Sequence, residues 1–348
     1  MAALVTPASA RESSATGGQI EVTPFDSWLS GLRQQALAEG LPPLLVTTAL
    51  SGAAPLPRVI ELDQAQPEGR LPTSVYMRRI LTPAFKEQGQ QKMLAHQATL
   101  RAVSQRWGVP AGVVVALWGI ETRYGRLTGG FPVFGALTTL AYEGRRASYF
   151  RQELMQALRL AAQERLDPLQ MTGSWAGAMG QVQFMPTTFI RFAVDGDGDG
   201  HRDIWRSTPD ALASAANYLV AEGWQPGQGW GRRVKLPAKL PHGVIGLEST
   251  KTLAEWQRLG VRTSTGGALP QAAGLRASLI QPDGPGTSTW LVYPNFRVLM
   301  RWNRSTSFAL TAGEMSDYLS GAGNGVKSTA TKNKKTKQAH SKAARPKH

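Results

Sequence analysis

Apolar positions recur at helical spacing through the first two-thirds of the chain. Met93, Leu100, Val103 and Trp107 fall on one face of a helix that Gly108 is placed to end, and Pro110 suits the first turn of the next. From Pro110 to about Thr122 no polar face remains, because Val113, Val114, Val115, Ala116, Leu117, Trp118 and Ile120 are all apolar; the pattern predicts a buried helix. Ala147, Phe150, Leu154, Ala157, Leu158 and Ala161 form an amphipathic stripe. Thr208 as N-cap, Pro209 behind it and Gly223 beyond the end bracket a helix from Pro209 to Glu222. Between about Val234 and Val298 the pattern changes. Pro237, Pro241, Pro270, Pro282 and Pro285 punctuate short β-branched or aromatic runs such as Trp290 to Tyr293, which predicts short strands with one helix near Thr252 to Leu259. Helix returns from about Ser305 to Leu319, and Gly321, Gly323 and Gly325 end the fold. No repeat of roughly 20 to 50 residues is present, which argues against a solenoid or propeller.

These shifts divide the chain into a flexible leader (1–22), a helical region (23–233), a small mixed or β insertion (234–298), a helix returning to the core (299–320) and a disordered basic tail (321–348). With 42% hydrophobic and 18% charged residues, the 348-residue chain can bury a real core. Its longest apolar run, Val113 to Ile120, is too short to span a bilayer. The absence of cysteine removes disulfides, thiolate nucleophiles, Cys-ligated zinc and an acylated cysteine anchor. Ala2 to Val5 is short for a secretory apolar core, yet Ala8-Ser9-Ala10 has the form of a cleavage site; an export signal whose front is missing and an ordinary flexible terminus both fit.

Charge is unevenly placed. Lys327, Lys332, Lys334, Lys335, Lys337, Lys342, Arg345 and Lys347 supply eight of the +15 net charges, with no acidic residue among them. Such a tail attracts any polyanion, whether nucleic acid, an anionic membrane surface or an acidic wall polymer, and selects none. No recognised nucleic-acid motif remains once it is set aside.

Three segments offer chemistry. Glu121 ends the apolar run 113–120 and precedes Thr122-Arg123-Tyr124-Gly125. A carboxyl there is partly desolvated, which raises its pKa and lets it act as a general acid; the alternative is a surface glutamate, or one paired with Arg123 or Arg126. Residues 173–186 combine glycines with Ser174 and Gln183, which suits close backbone approach and hydrogen bonds to sugar hydroxyls and acetamides, or equally a tight helix-packing segment. Asp195, Asp197, Asp199 and Asp203 occupy positions 1, 3, 5 and 9 of a calcium-loop pattern, with Gly200 at the turn and the His201 carbonyl at 7. Position 12 is Arg206 instead of glutamate, and Asp210 could close a longer loop. Ten tryptophans, several beside these segments, suit stacking on sugar faces or simple burial in the core.

Taken in order, Trp118 through Gly125, Ala136 through Tyr142, Gly173 through Pro186, the Asp195 loop, Ala216-Asn217-Tyr218 and Asn295 through Ser305 resemble the lytic murein transglycosylase B family, over about Phe25 to Leu319. The resemblance implies a mainly α (α+β) fold: a lysozyme-like helical core with an added helical region, a small β-containing insertion and an EF-hand-like calcium loop. It implies Glu121 as catalytic acid/base; Ser174, Gln183, Tyr218, Trp302, Asn303 and Phe308 as substrate-binding; and a structural calcium ion on Asp195, Asp197, Asp199, His201, Asp203 and Asp210, with no cofactor for catalysis. Many members have tyrosine at the positions of Trp302 and Phe308, so stacking is expected to persist while ring hydrogen bonds are not relied on.

The implied activity is cleavage of the β-1,4 bond between N-acetylmuramic acid and N-acetylglucosamine in peptidoglycan, with 1,6-anhydromuramyl ends, by a periplasmic monomer acting on glycan strands. The anionic wall or membrane surface would engage the tail. Because the nucleophile is the substrate's own C6 hydroxyl, one carboxyl suffices, whereas hydrolytic glycosidases use a pair. A lysozyme-type hydrolase and a non-catalytic wall-binding protein are the alternatives, and specific nucleic-acid binding is not expected.

Overall fold

The computed structural model describes residues 24–65, 71–143, 145–272 and 274–321. The leader assigned to 1–22 and all eight basic residues of the tail lie outside the described residues. Six helices, α1 (Phe25–Ala38), α2 (Pro43–Ala49), α3 (Pro57–Gln64), α4 (Thr73–Ile80), α5 (Pro83–Ala95) and α6 (Gln97–Trp107), lead to α7 (Ala111–Thr122). Strand β1 (Phe131–Pro132) runs into α8 (Val133–Glu143) and α9 (Ala147–Gln163); β2 (Thr172–Gly173) then pairs back on β1, ahead of α10 (Pro186–Phe192) and α11 (Thr208–Ala221). The remainder comprises β3 (Gly231–Lys235), β4 (Thr250–Thr252), α12 (Leu253–Arg258), β5 (Arg262–Thr263), β6 (Arg276–Ile280), β7 (Thr289–Val292), α13 (Pro294–Trp302) and α14 (Thr306–Leu319).

Helix α7 is the axis of the core. It is apolar all round, so it is stable only when covered on every side, and α5, α6, α11 and α14 cover it. Val114, Val115, Ala116 and Leu117 have no exposed surface. Three local expectations change. The helix read through Met93 and Trp107 is two helices, broken at His96, whose φ of −111° and ψ of 24° leave the helical region. The His96 ring packs edge-on against Trp118, a long-range contact that spacing does not announce. The N-cap of α11 is Ser207, whose side chain accepts from the Asp210 amide at 3.2 Å; Thr208 is already helical, so two adjacent capping-competent residues shift the start by one. The returning C-terminal segment is likewise two helices, α13 and α14, with extended backbone at Asn303 between them.

The five strands of the larger sheet are antiparallel in the order β4-β6-β7-β3-β5. Side chains alternate across a strand, and both faces here are covered. Leu279 and Leu291, partners in the ladder, join Leu253, Trp256 and Val261 in a small separate core. Their neighbours Ile280, Trp290 and Val292 join the main helical core. The sheet is therefore a wall between the two cores, and α12 closes its outer side with a full Thr252–Glu255 capping box. Among the described residues no helix is long and apolar enough to cross a membrane.

Candidate active site

Glu121 is the penultimate residue of α7 and only 4% exposed. Burial pushes its carboxyl up from the ordinary 4.5 to about 7, against the pull of a hydrogen bond that the Trp302 indole Nε1–H donates to Oε1 at 2.8 Å. Trp302, at the end of α13, does make a ring hydrogen bond, through its indole N–H. Among the described residues Glu121 forms no ion pair with Arg123 or Arg126, so it is neither a surface glutamate nor one neutralised by arginine. Tyr76 on α4 lies within electrostatic reach, since burial and then the Glu121 charge raise its hydroxyl to about 12. Nothing in the run Thr73 to Ile80 marks Tyr76 beforehand; only packing brings α4 to this place.

The chain leaves α7 abruptly. Arg123, Tyr124 and Gly125 are all left-handed, with φ of 52°, 61° and 80°, a conformation that costs about 1 kcal/mol or more for a non-glycine residue and must be held from outside. The Tyr124 hydroxyl donates to the Phe85 carbonyl at 2.8 Å, and its ring packs on Phe85 and Trp118. Gly119 leaves room for that ring: a Cβ there would lie 2.5 Å from it. The Thr122 hydroxyl accepts from Gly125 N and donates to the Gln181 carbonyl at 2.7 Å. Gln181, which the residue pattern did not single out, is the hub. Its amide oxygen accepts from Trp118 Nε1 at 3.0 Å, and its backbone N–H donates to the Ile204 carbonyl.

The turn delivers the chain into a cleft of about 440 Å³ between the segment 126–131 and Ser174, Trp175 and Gln183. The β1–β2 pairing holds these walls together. Glu121 is not on the wall of this cavity, which begins five residues downstream at Arg126. The Ser174 hydroxyl accepts from the Ala178 amide at 3.1 Å, leaving its own proton for a ligand. Gln183, itself left-handed at φ 52°, spends Nε2 on the Thr128 and Gly180 carbonyls, which leaves its Oε1 as an acceptor.

Tyr218 stands edge-on to Trp302 at 4.9 Å and donates its hydroxyl to the Arg301 carbonyl at 2.8 Å, which braces the end of α13. Phe184 completes this group, 5.6 Å from Trp302. Asn303 accepts from Ser305 N through Oδ1. Phe308 is 3% exposed and sits among the core residues of α14.

Of the acidic loop, carboxylate oxygens of Asp195, Asp197 and Asp210 lie within 4.8 Å of one another. Asp210 has no exposed surface and accepts from the Gly196 and Asp203 amides. The structure does not bring Asp199 and Asp203 into that group: Asp199 accepts from His201 N, and Asp203 from the Trp205 and Arg206 amides.

Residues 24–317 match the family model described as the transglycosylase SLT domain. Over 242 residues the chain is 34% identical to membrane-bound lytic murein transglycosylase B of Escherichia coli (strain K12), covering 69% of this chain and 65% of that protein's length. It superimposes on SltB3 from Pseudomonas aeruginosa, solved in complex with NAG-anhNAM-pentapeptide, with a TM-score of 0.83 and 44% identity over 88% of this chain and 81% of that one. The Escherichia coli lytic transglycosylase Slt35, solved in complex with calcium, gives 0.73 and 32% over 88% and 96%. On the extent of these matches, the chain belongs to the transglycosylase SLT-domain family.

Proposed function

We propose that the protein is a lytic transglycosylase that cleaves the β-1,4 bond between N-acetylmuramic acid and N-acetylglucosamine in peptidoglycan and leaves 1,6-anhydromuramyl ends. The observation that carries this reading is the buried carboxyl of Glu121, raised to about 7 by burial and held by one indole donor, with no other described carboxylate bearing on its protonation. Glu121 gives its proton to the glycosidic oxygen as the bond to the muramyl C1 breaks. The carboxylate left behind, steadied by Trp302, takes the proton of the muramyl C6 hydroxyl as that oxygen closes on C1. Water is not consumed and Glu121 ends protonated. Intramolecular attack has an effective molarity of roughly 10⁵ to 10⁸ M, which makes a second carboxyl unnecessary. Ser174 and Gln183 would offer a donor and an acceptor to the glycan, and the Trp302, Tyr218 and Phe184 group an apolar wall.

Supporting the substrate assignment are the name of the Escherichia coli relative and the NAG-anhNAM-pentapeptide bound to SltB3. The site of action would then be the periplasm, where that polymer lies. Asp195, Asp197 and Asp210 fit a structural calcium ion: three carboxylates converge, one of them fully buried, and their mutual repulsion calls for a cation. The calcium complex of Slt35 supports the same assignment. The ion would fix the start of α11 against the loop after α10, and with it the Ile204 carbonyl that holds Gln181.

Mass analysis of fragments released from purified peptidoglycan tests the reaction. Cyclised products are one water lighter than hydrolytic ones and lack a reducing muramyl end; reducing ends would favour the hydrolase instead. Glu121→Gln should bind glycan yet lose at least ~10² to 10⁴-fold in turnover, and substantial residual activity would remove Glu121 from this role.

A further inference from the structure

Helix α4, which carries Tyr76, has no cap of its own. It starts after Pro72, whose side chain can accept nothing, so the orphan amides of its first turn need a partner from elsewhere. That partner is 210 positions away. Asp283, in the loop between β6 and β7, accepts from Thr73 N through Oδ1 at 2.5 Å and from Ser74 N through Oδ2 at 2.8 Å. Both carboxylate oxygens are committed to two successive amides, at the helix end where the macrodipole favours a negative charge. Thr73 is 4% exposed, and its hydroxyl pairs with Ser307 Oγ at 2.8 Å in the first turn of α14, just beyond Trp302 and Asn303. Tyr76, three residues on, lies on the same helical face as Thr73.

We propose that Asp283 is a positioning residue for the Glu121 site: capping α4 from the β insertion, it holds Tyr76 and the start of α14 in place around Glu121 and Trp302. The proposal rests on the reading of Glu121 as acid/base. An eight-residue helix is too short to be stable alone, so its N-terminal turn depends on this cap. Burial pushes the Asp283 carboxyl up, but the Ser74 and Thr73 bonds outweigh it and hold the group below its ordinary value, as a charged cap requires. The insertion thereby reaches α4 through one carboxylate, in addition to packing on α14.

The test reads the resting protein. In Asp283→Ala, exchange of the Thr73 and Ser74 amides should accelerate about three- to thirtyfold, the effect of losing an N-cap. The Glu121 carboxyl, followed by ¹³C NMR and identified by its absence in Glu121→Gln, should titrate about half a unit or more lower, because a loosened Tyr76 admits water. Asp283→Asn, which keeps one acceptor, should fall between and serves if the alanine variant folds poorly. Adding Pro72→Asp to Asp283→Ala supplies α4 with a local cap that accepts from the Ser74 amide and should restore the slow exchange of Ser74 and the Glu121 titration. Unchanged exchange and titration in Asp283→Ala would overturn the proposal. So would a double variant that is not rescued, since the effect would then run through the loop and not through α4. Absence of anhydromuramyl products from the unmodified chain would sink the acid/base reading while leaving the cap result standing.

Discussion

At the scale of the residue, a carboxyl that keeps its proton to about 7 when folded and to the ordinary 4.5 when unfolded links chemistry to stability. Its protonated form stabilises the fold fully below pH 4.5, and that contribution is lost as pH rises through 7. The shift corresponds to about 3 kcal/mol. Glu121→Gln cannot ionise, so urea titrations at pH 5 and pH 8 should show its stability relative to the unmodified protein rising by about that amount; a constant difference would mean that Glu121 titrates normally. Trp302→Phe keeps the ring but removes the donor that favours the carboxylate. Losing a hydrogen bond to a charged group should move the alkaline limb of the activity profile up by about one unit while slowing turnover. A limb that stays in place would indicate that the 2.8 Å bond does not govern the proton.

At the scale of the element, the carboxylate loop distinguishes sequence spacing from assembled geometry. Asp195 and Asp197 come from the loop and Asp210 from the first turn of α11, so the converged group spans two elements. Calcium should raise the melting temperature of the unmodified protein and a chelator reverse it, because the ion binds the folded site. Asp210→Asn should abolish most of that response and Asp199→Asn little of it, as differential scanning calorimetry would show. Equal losses would return Asp199 to the ligand set. Ser207 bridges the same elements, capping α11 while donating its hydroxyl to Asp197 at 2.8 Å.

At the scale of the molecule, the sheet and α14 are locked edge to face. The Trp230 ring lies over Gly313, where a Cβ would come within 2.3 Å of it, and its N–H donates to Asp317 at 3.1 Å. Glu314 accepts from Trp290 Nε1 at 2.8 Å and from Arg233 Nε at 2.6 Å. Helix propensity alone would make Gly313→Ala stabilising by about 1 kcal/mol. Overpacking against a buried indole costs about 1 to 3 kcal/mol and decides the sign. The variant should therefore unfold at lower urea, and a higher midpoint would show that the sheet yields easily.

Local features were legible where local physics makes them. The all-apolar run 113–120 determined a buried helix, since a helix without a polar face has nowhere to go but the core, and its one carboxyl at the end was marked for desolvation. Carboxylate spacing announced the acidic loop, and prolines and β-branched runs announced the sheet. What the sequence left undecided joins residues far apart in the chain. Trp302 meets Glu121 across 181 positions, and Asp283 meets Thr73 across 210. Periodicity reports which side of an element faces inward and carries no information about which distant element it meets. That pairing, and with it the single donor on Glu121 and the place of Tyr76, was decided only when the helices and the sheet packed together.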